Sequence, residues 1–99
     1  MHARVTMATV HPERFDEAVT VVKETFQPAA REHAGFRTFM LLADATAHRL
    51  IGITLWETEA DMTASAGGSG YYDAAIAEFN SLLVAPATTT THEVAAYET

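Results

Sequence analysis

Two hydrophobic periods take turns along this chain. Residues 3–10, Ala-Arg-Val-Thr-Met-Ala-Thr-Val, alternate in period two with Val5 and Met7 on one face, which predicts a strand. His11-Pro12 interrupts the pattern, and proline suits the first turn of a helix. From Glu13 the apolar positions Phe15, Ala18, Val19, Val22 and Phe26 recur at steps of three and four, the stripe of a helix. Pro28 predicts an end or a kink, Ala29–His33 a further turn, and Gly35 a stop. Phe36–Ala43 and Arg49–Trp56 read as second and third strands, joined by a segment, Asp44–His48, short enough for a hairpin. Thr58, with Asp61 three residues on, predicts the start of a short helix to about Ser65. Gly67-Gly68-Ser69-Gly70 is a flexible break. Tyr72, Ala75, Ile76, Phe79, Leu82 and Leu83 form a second helical stripe, Pro86 ends it, and Thr88–Tyr97 predicts a last strand.

The order is β-α-β-β-α-β, a ferredoxin-like α+β unit with a four-stranded antiparallel sheet, filling residues 1–99 as one domain. Strands two and three are apolar on both sets of alternate positions: Phe39, Leu41, Ile51, Ile53 and Leu55 in one, Met40, Leu42, Leu50 and Trp56 in the other. Two helices cover only one face of such a sheet, and a solvated second face should alternate apolar with polar. The expected cover is the same sheet of a second copy, giving a homodimeric barrel with an enclosed cavity.

Composition narrows the partners. Forty-eight per cent hydrophobic and 19 % charged residues describe a globular chain. Without cysteine there is no disulfide, thiolate chemistry or cysteine metal site. Six basic against thirteen acidic residues leave a net charge of −7, with no cationic stripe for nucleic acid or an anionic membrane surface. No signal segment or membrane-spanning run is expected, and the default location is the cytoplasm.

Ala34-Gly35-Phe36, Leu41-Leu42, Ile51-Gly-Ile-Thr-Leu-Trp56-Glu57 with Ala60, and His92-Glu-Val-Ala-Ala-Tyr97-Glu together resemble the antibiotic biosynthesis monooxygenase family of the dimeric α+β barrel superfamily. The resemblance implies a homodimer with one cavity per subunit between helices and sheet. Some members are cofactor-independent oxygenases that turn phenols and anthrones into quinones, and others degrade haem, isomerise or cyclise small molecules. The haem chemistry is disfavoured: residues 58–85 hold no histidine, and residues 3–10 hold only Thr6 and Thr9 as uncharged polar groups instead of the asparagine those enzymes use.

By that resemblance Trp56, at a strand end, packs against a bound aromatic molecule; the bland alternative is a core tryptophan with its N–H on a nearby oxygen. If Trp56 faces the cavity, period two adds Thr54, Gly52 and Leu50, and Met40 is grouped with them as substrate-binding. Tyr71 or Tyr72 would orient the substrate, with Tyr72 as donor. His33 or His92 would take its proton, since each lies near an element that borders the family's cavity. No two of the five histidines have ligand spacing, so no metal and no cofactor are expected. The glycine-rich break comes after a helix and lacks a lysine, which suits a lid and not a phosphate loop. The resulting reading is a cofactor-free monooxygenase for an aromatic polyketide-like phenol or anthrone; the alternative is a non-redox binding or cyclase-like barrel.

Overall fold

A computed structural model describes all 99 residues. Strands β1 (His2–Thr9), β2 (Phe36–Asp44), β3 (Arg49–Trp56) and β4 (Thr88–Glu93) form one sheet in the order β2-β3-β1-β4, every pair antiparallel. This is the split βαββαβ arrangement expected from the element order. Helices α1 (Phe15–Val21) and α2 (Gln27–Arg31) connect β1 to β2, and α3 (Glu59–Ala64) and α4 (Tyr72–Phe79) connect β3 to β4. β4 stops at Glu93, short of the expected Tyr97; beyond it Val94 N–H still donates to the Met1 carbonyl at 3.0 Å. No helix is long and apolar enough to cross a membrane.

Pro28 neither ends nor breaks the first helical arm. A π-helical turn, Val22–Phe26, joins α1 to α2, and Pro28 falls in the first turn of α2. The wider turn is the usual way to relieve a proline ring that would otherwise press on the carbonyl four residues back. It keeps Val22 and Phe26, both buried, on the stripe that faces the sheet. Elsewhere the local signals behave as read. Thr58 Oγ1 accepts from Asp61 N–H at 3.0 Å and caps α3. Gly35 ends the arm at φ +80°, a conformation that disfavours any side chain. In the β2–β3 turn, Asp44 Oδ1 accepts from the N–H groups of Thr46 and Ala47.

The register assigns the faces. Arg4, Thr6 and Ala8 of β1 lie opposite Thr54, Gly52 and Leu50 of β3, and Phe39 and Leu41 of β2 lie opposite Thr54 and Gly52. These residues make the inner face, under the helices. Val5, Met7, Ile51, Ile53, Met40 and Leu42 make the outer face. Met40 therefore sits on the other side of the sheet from Trp56, contrary to the expected grouping. The cause is an irregularity between Phe36 and Thr38, which pair with Trp56 and Leu55 respectively. One extra residue there reverses the side-chain alternation, so Phe36 and Phe39 both point inward and Met40 outward.

Two clusters build the interior. The larger runs from Ala8, Val10 and Leu50 on the sheet to Val22, Phe26, Tyr72, Phe79 and Leu82 on the helices. The smaller one, Ala30, Trp56 and Met62, closes the opposite end with Phe36 and Tyr71 against it. The outer face is bare, with Met7, Met40 and Leu42 each 44–47 % exposed.

Candidate active site

Between the two clusters the inner face and the helices stand apart. The cavity between them has a volume of about 50 Å³. Leu50, Gly52, Phe39 and Leu41 make the floor, Val22 and Phe26 one wall, and Tyr71, Tyr72, Ile76 and Phe79 the other. A Cβ placed on Gly52 would meet no atom within 4 Å, so the missing side chain itself leaves part of this room. Gly52 pairs regularly with Thr6 and Leu41 and marks no bulge.

All the polar groups gather at one end, around Arg4. Its side chain comes up from β1 and is 4 % exposed. Nη1 donates to Ser65 Oγ at 3.0 Å and to the Met62 carbonyl at 3.3 Å, and Nη2 donates to Tyr71 Oη at 2.9 Å. The guanidinium carbon lies 3.9 Å from the centre of the Tyr72 ring and 5.6 Å from those of Tyr71 and Trp56. Cation–π contact of this kind supplies about 2 kcal/mol when the cation is desolvated. Of the residues around the cavity, Arg4 alone carries a charge, and none of the three ion pairs of the protein includes it.

The loop after α3 holds this cluster in place. Ser65, 1 % exposed, donates to the Met62 carbonyl at 2.6 Å, and its own carbonyl accepts from the N–H groups of Tyr71 and Tyr72. A Cβ on Gly70 would lie 2.4 Å from the Ser65 carbonyl, so the chain needs glycine there to fold back so closely. The glycine-rich segment thus ends in a tight return that delivers both tyrosines beside Arg4.

Tyr72 Oη lies 2.6 Å from Thr6 Oγ1 and 2.6 Å from Thr89 Oγ1, a run of hydroxyls from the cavity to β4. Tyr71 takes the other side, where burial pushes its phenol pKa up and the neighbouring Arg4 only partly opposes the rise. A phenol that stays protonated more strongly when folded has a clear linkage: its stabilisation is complete below the unfolded pKa near 10 and is lost as pH climbs through the folded value. Alkaline titration of stability by urea melts is expected to fall above about pH 10, and to fall less steeply in Tyr71→Phe. An unchanged slope in that variant would refute the assignment.

The remaining sequence candidates have definite places in the fold. Trp56 is completely buried, donates Nε1–H to Thr54 Oγ1 at 2.9 Å, and lies behind the cavity wall instead of on it. Thr54, Gly52 and Leu50 border the cavity with Tyr71 and Tyr72. The His33 ring lies 5.4 Å from that of Tyr71, outside the lining. His92 stands opposite Ala3 on the outer face, exposed, with Nε2 2.9 Å from Thr90 Oγ1, so within one chain it does not meet the cavity. Met40 is on that same outer face because of the irregularity after Phe36. No three His, Asp or Glu side chains converge as a metal site needs.

Arg4 is the residue that reading the sequence missed. The signal was present: if Val5 and Met7 face out, the charged residue between them and the chain start must face in.

Comparison with known proteins agrees with this fold. A family model described as antibiotic biosynthesis monooxygenase matches residues 1–78. Among solved structures, the monooxygenase ActVA-Orf6 of Streptomyces coelicolor, in complex with Nanaomycin D, superposes with a TM-score of 0.82 at 18 % identity, over 99 % of this chain and 90 % of that one. A proposed antibiotic biosynthesis monooxygenase from Deinococcus radiodurans gives 0.83 at 15 % identity, over 100 % and 97 %. Rv0793 from Mycobacterium tuberculosis gives 0.80 at 16 % identity, over 99 % and 98 %. At these identities the likeness speaks for the fold. No curated protein matches the sequence. With 78 of its 99 residues matched by the family model, and with the family's fold throughout, the chain belongs to the antibiotic biosynthesis monooxygenase family.

Proposed function

We propose that this chain is a homodimeric, cofactor-independent monooxygenase that oxidises a flat aromatic phenol or anthrone with dioxygen. The observation that carries the reading is an apolar cavity with a single polar end, in a member of this family. The ActVA-Orf6 relative, solved with Nanaomycin D, supports a small-molecule occupant. In this scheme the ring lies on Gly52, Leu50 and Leu41, under Ile76 and Phe79, with Tyr71 and Tyr72 orienting its oxygens. His33, beside Tyr71 but outside the lining, receives the proton by relay and does not touch the ring. Trp56 acts through Thr54, which it holds at the wall.

The chemistry asks little of the protein. A deprotonated, electron-rich ring passes one electron to dioxygen, and the two radicals join at carbon. Loss of water then leaves a carbonyl. One oxygen atom enters the product and the other leaves as water, so no further reductant is required. The protein excludes water, holds the ring and favours the anion.

The outer face is the reason for a dimer. Val5, Met7, Met40, Leu42, Ile51 and Ile53 present aliphatic surface on a sheet that its own helices do not cover, and a second copy packed face to face would cover it.

Oxygen uptake with a generic anthrone tests the proposal, with Gly52→Val as the control. Its Cβ enters the cavity with no protein atom within 4 Å, so the fold should be kept while uptake and quinone formation fall at least ~10-fold. Anthrone binding with no uptake above the uncatalysed rate would leave a non-redox binding barrel in its place.

A further inference from the structure

The positive charge at the end of the cavity has no negative partner. Arg4 is buried, yet its nearest neighbours are a serine, a backbone carbonyl and three aromatic rings. Three guanidinium N–H groups are donated to Ser65, Met62 and Tyr71, which leaves two of the five without a protein acceptor. Nε has no acceptor at all, and since no fully buried side-chain nitrogen lacks a partner, Nε is not sealed in protein; Arg4 is among the residues that line the cavity. The arrangement also runs against the character of the chain. A molecule of net charge −7 keeps every one of its thirteen carboxylates out of the cavity lining and admits one cation.

Buried charges in proteins are ordinarily paired, because an unpaired one forfeits its hydration without recovering it. Cation–π contact and neutral acceptors recover part of that loss for Arg4. An anionic oxygen on a ligand would recover the rest, and would do so in a poorly solvated place where attraction between opposite charges is strong.

We propose that the cavity binds its ligand as an organic monoanion: an aromatic body on the apolar floor, with one anionic oxygen, phenolate or enolate in the first instance, held by the Arg4 guanidinium. The inference deepens the oxygenase reading and rests on it only for the steps after binding. Arg4 thereby determines specificity for acidic aromatics over neutral ones, and favours loss of the phenolic proton before oxygen is met. Tyr71, whose hydroxyl accepts from Nη2, fixes the plane of the guanidinium.

The test is made under nitrogen, so that oxidation plays no part. A naphthol is titrated by its phenolate absorbance, free and with saturating protein, and naphthoate is compared with the neutral naphthamide by calorimetry. The bound naphthol is expected to lose its proton at a pH lower by about 1 or more, and naphthoate to bind at least ~10-fold tighter than naphthamide. In Arg4→Met both differences should vanish; in Arg4→Lys, which keeps the charge, they should survive in reduced form. A shift for naphthol assigns a phenolate or enolate site, and a preference for naphthoate alone assigns a carboxylate site; both uphold the anion. Equal binding of naphthoate and naphthamide, with an unshifted naphthol, overturns it on the wild-type protein whether or not Arg4→Met folds. Anion preference retained in a folded Arg4→Met overturns the role of Arg4. Oxygen uptake, measured separately, decides the oxygenase reading alone: anion binding without uptake would sink that reading and leave this one standing.

Discussion

Trp56→Ala is expected to lower the stability of the chain by about 3–5 kcal/mol, the usual cost of removing a large buried aromatic. The side chain has no exposure at all, meets Phe36 edge-on at 5.8 Å between centres, and fills the space between Ala30, Met62 and the end of β3. Its indole N–H is spent on Thr54. Nothing in the neighbourhood can collapse into the gap cheaply, because β1, β2 and α3 are each tied by backbone hydrogen bonds at this point. Since single domains are stable by only about 5–15 kcal/mol, such a loss should be visible as a large drop in the denaturation midpoint. Trp56→Phe, which keeps most of the apolar volume and gives up one hydrogen bond, should cost about 1–2 kcal/mol. Urea melts of the two variants give the comparison. If Trp56→Ala were as stable as Trp56→Phe, the ring would not be the closing piece of this cluster.

Ile53→Asp is expected to turn the proposed dimer into monomers. Ile53 is central on the outer face, opposite Val5 on one side and Met40 on the other. In an isolated subunit the aspartate would point to water and leave the fold intact. Inside a face-to-face interface each subunit would bury an unpaired carboxylate, at several kcal/mol apiece. A rise in the dissociation constant of ~1,000-fold or more corresponds to about 4 kcal/mol. Sedimentation at micromolar concentration should then show the mass moving from twice 10.7 kDa to 10.7 kDa, with unchanged far-ultraviolet dichroism. A variant that still sediments as a dimer would place the contact elsewhere, and a wild-type chain that is monomeric would remove the barrel.

How far the site could be read in advance depended on the element. On β3 the alternation from Leu50 to Trp56 is unbroken, so Leu50, Gly52 and Thr54 share the inner face as period two requires. On β2 the same rule misplaced Met40, because the irregularity after Phe36 leaves no mark in composition. His92 lies near the cavity by resemblance to the family, yet its strand position turns it outward. At Pro28 local propensity predicted an end or a kink, and packing of Val22 and Phe26 on the sheet carried the helix through by way of a π turn.

Local chemistry was therefore enough to determine the elements, their order and the family: hydrophobic period, caps and glycine stops act over a few residues and are written in the chain itself. The charge at the polar end of the cavity was a matter for the tertiary structure. Arg4 meets Ser65, Tyr71 and Tyr72 across more than sixty residues of sequence, and it does so because the sheet register and the tight return at Gly70 bring them together. No nearest-neighbour pattern encodes such a meeting. It exists only once the strands have paired, which is when an arginine among hydrophobic residues becomes a buried cation facing an empty space.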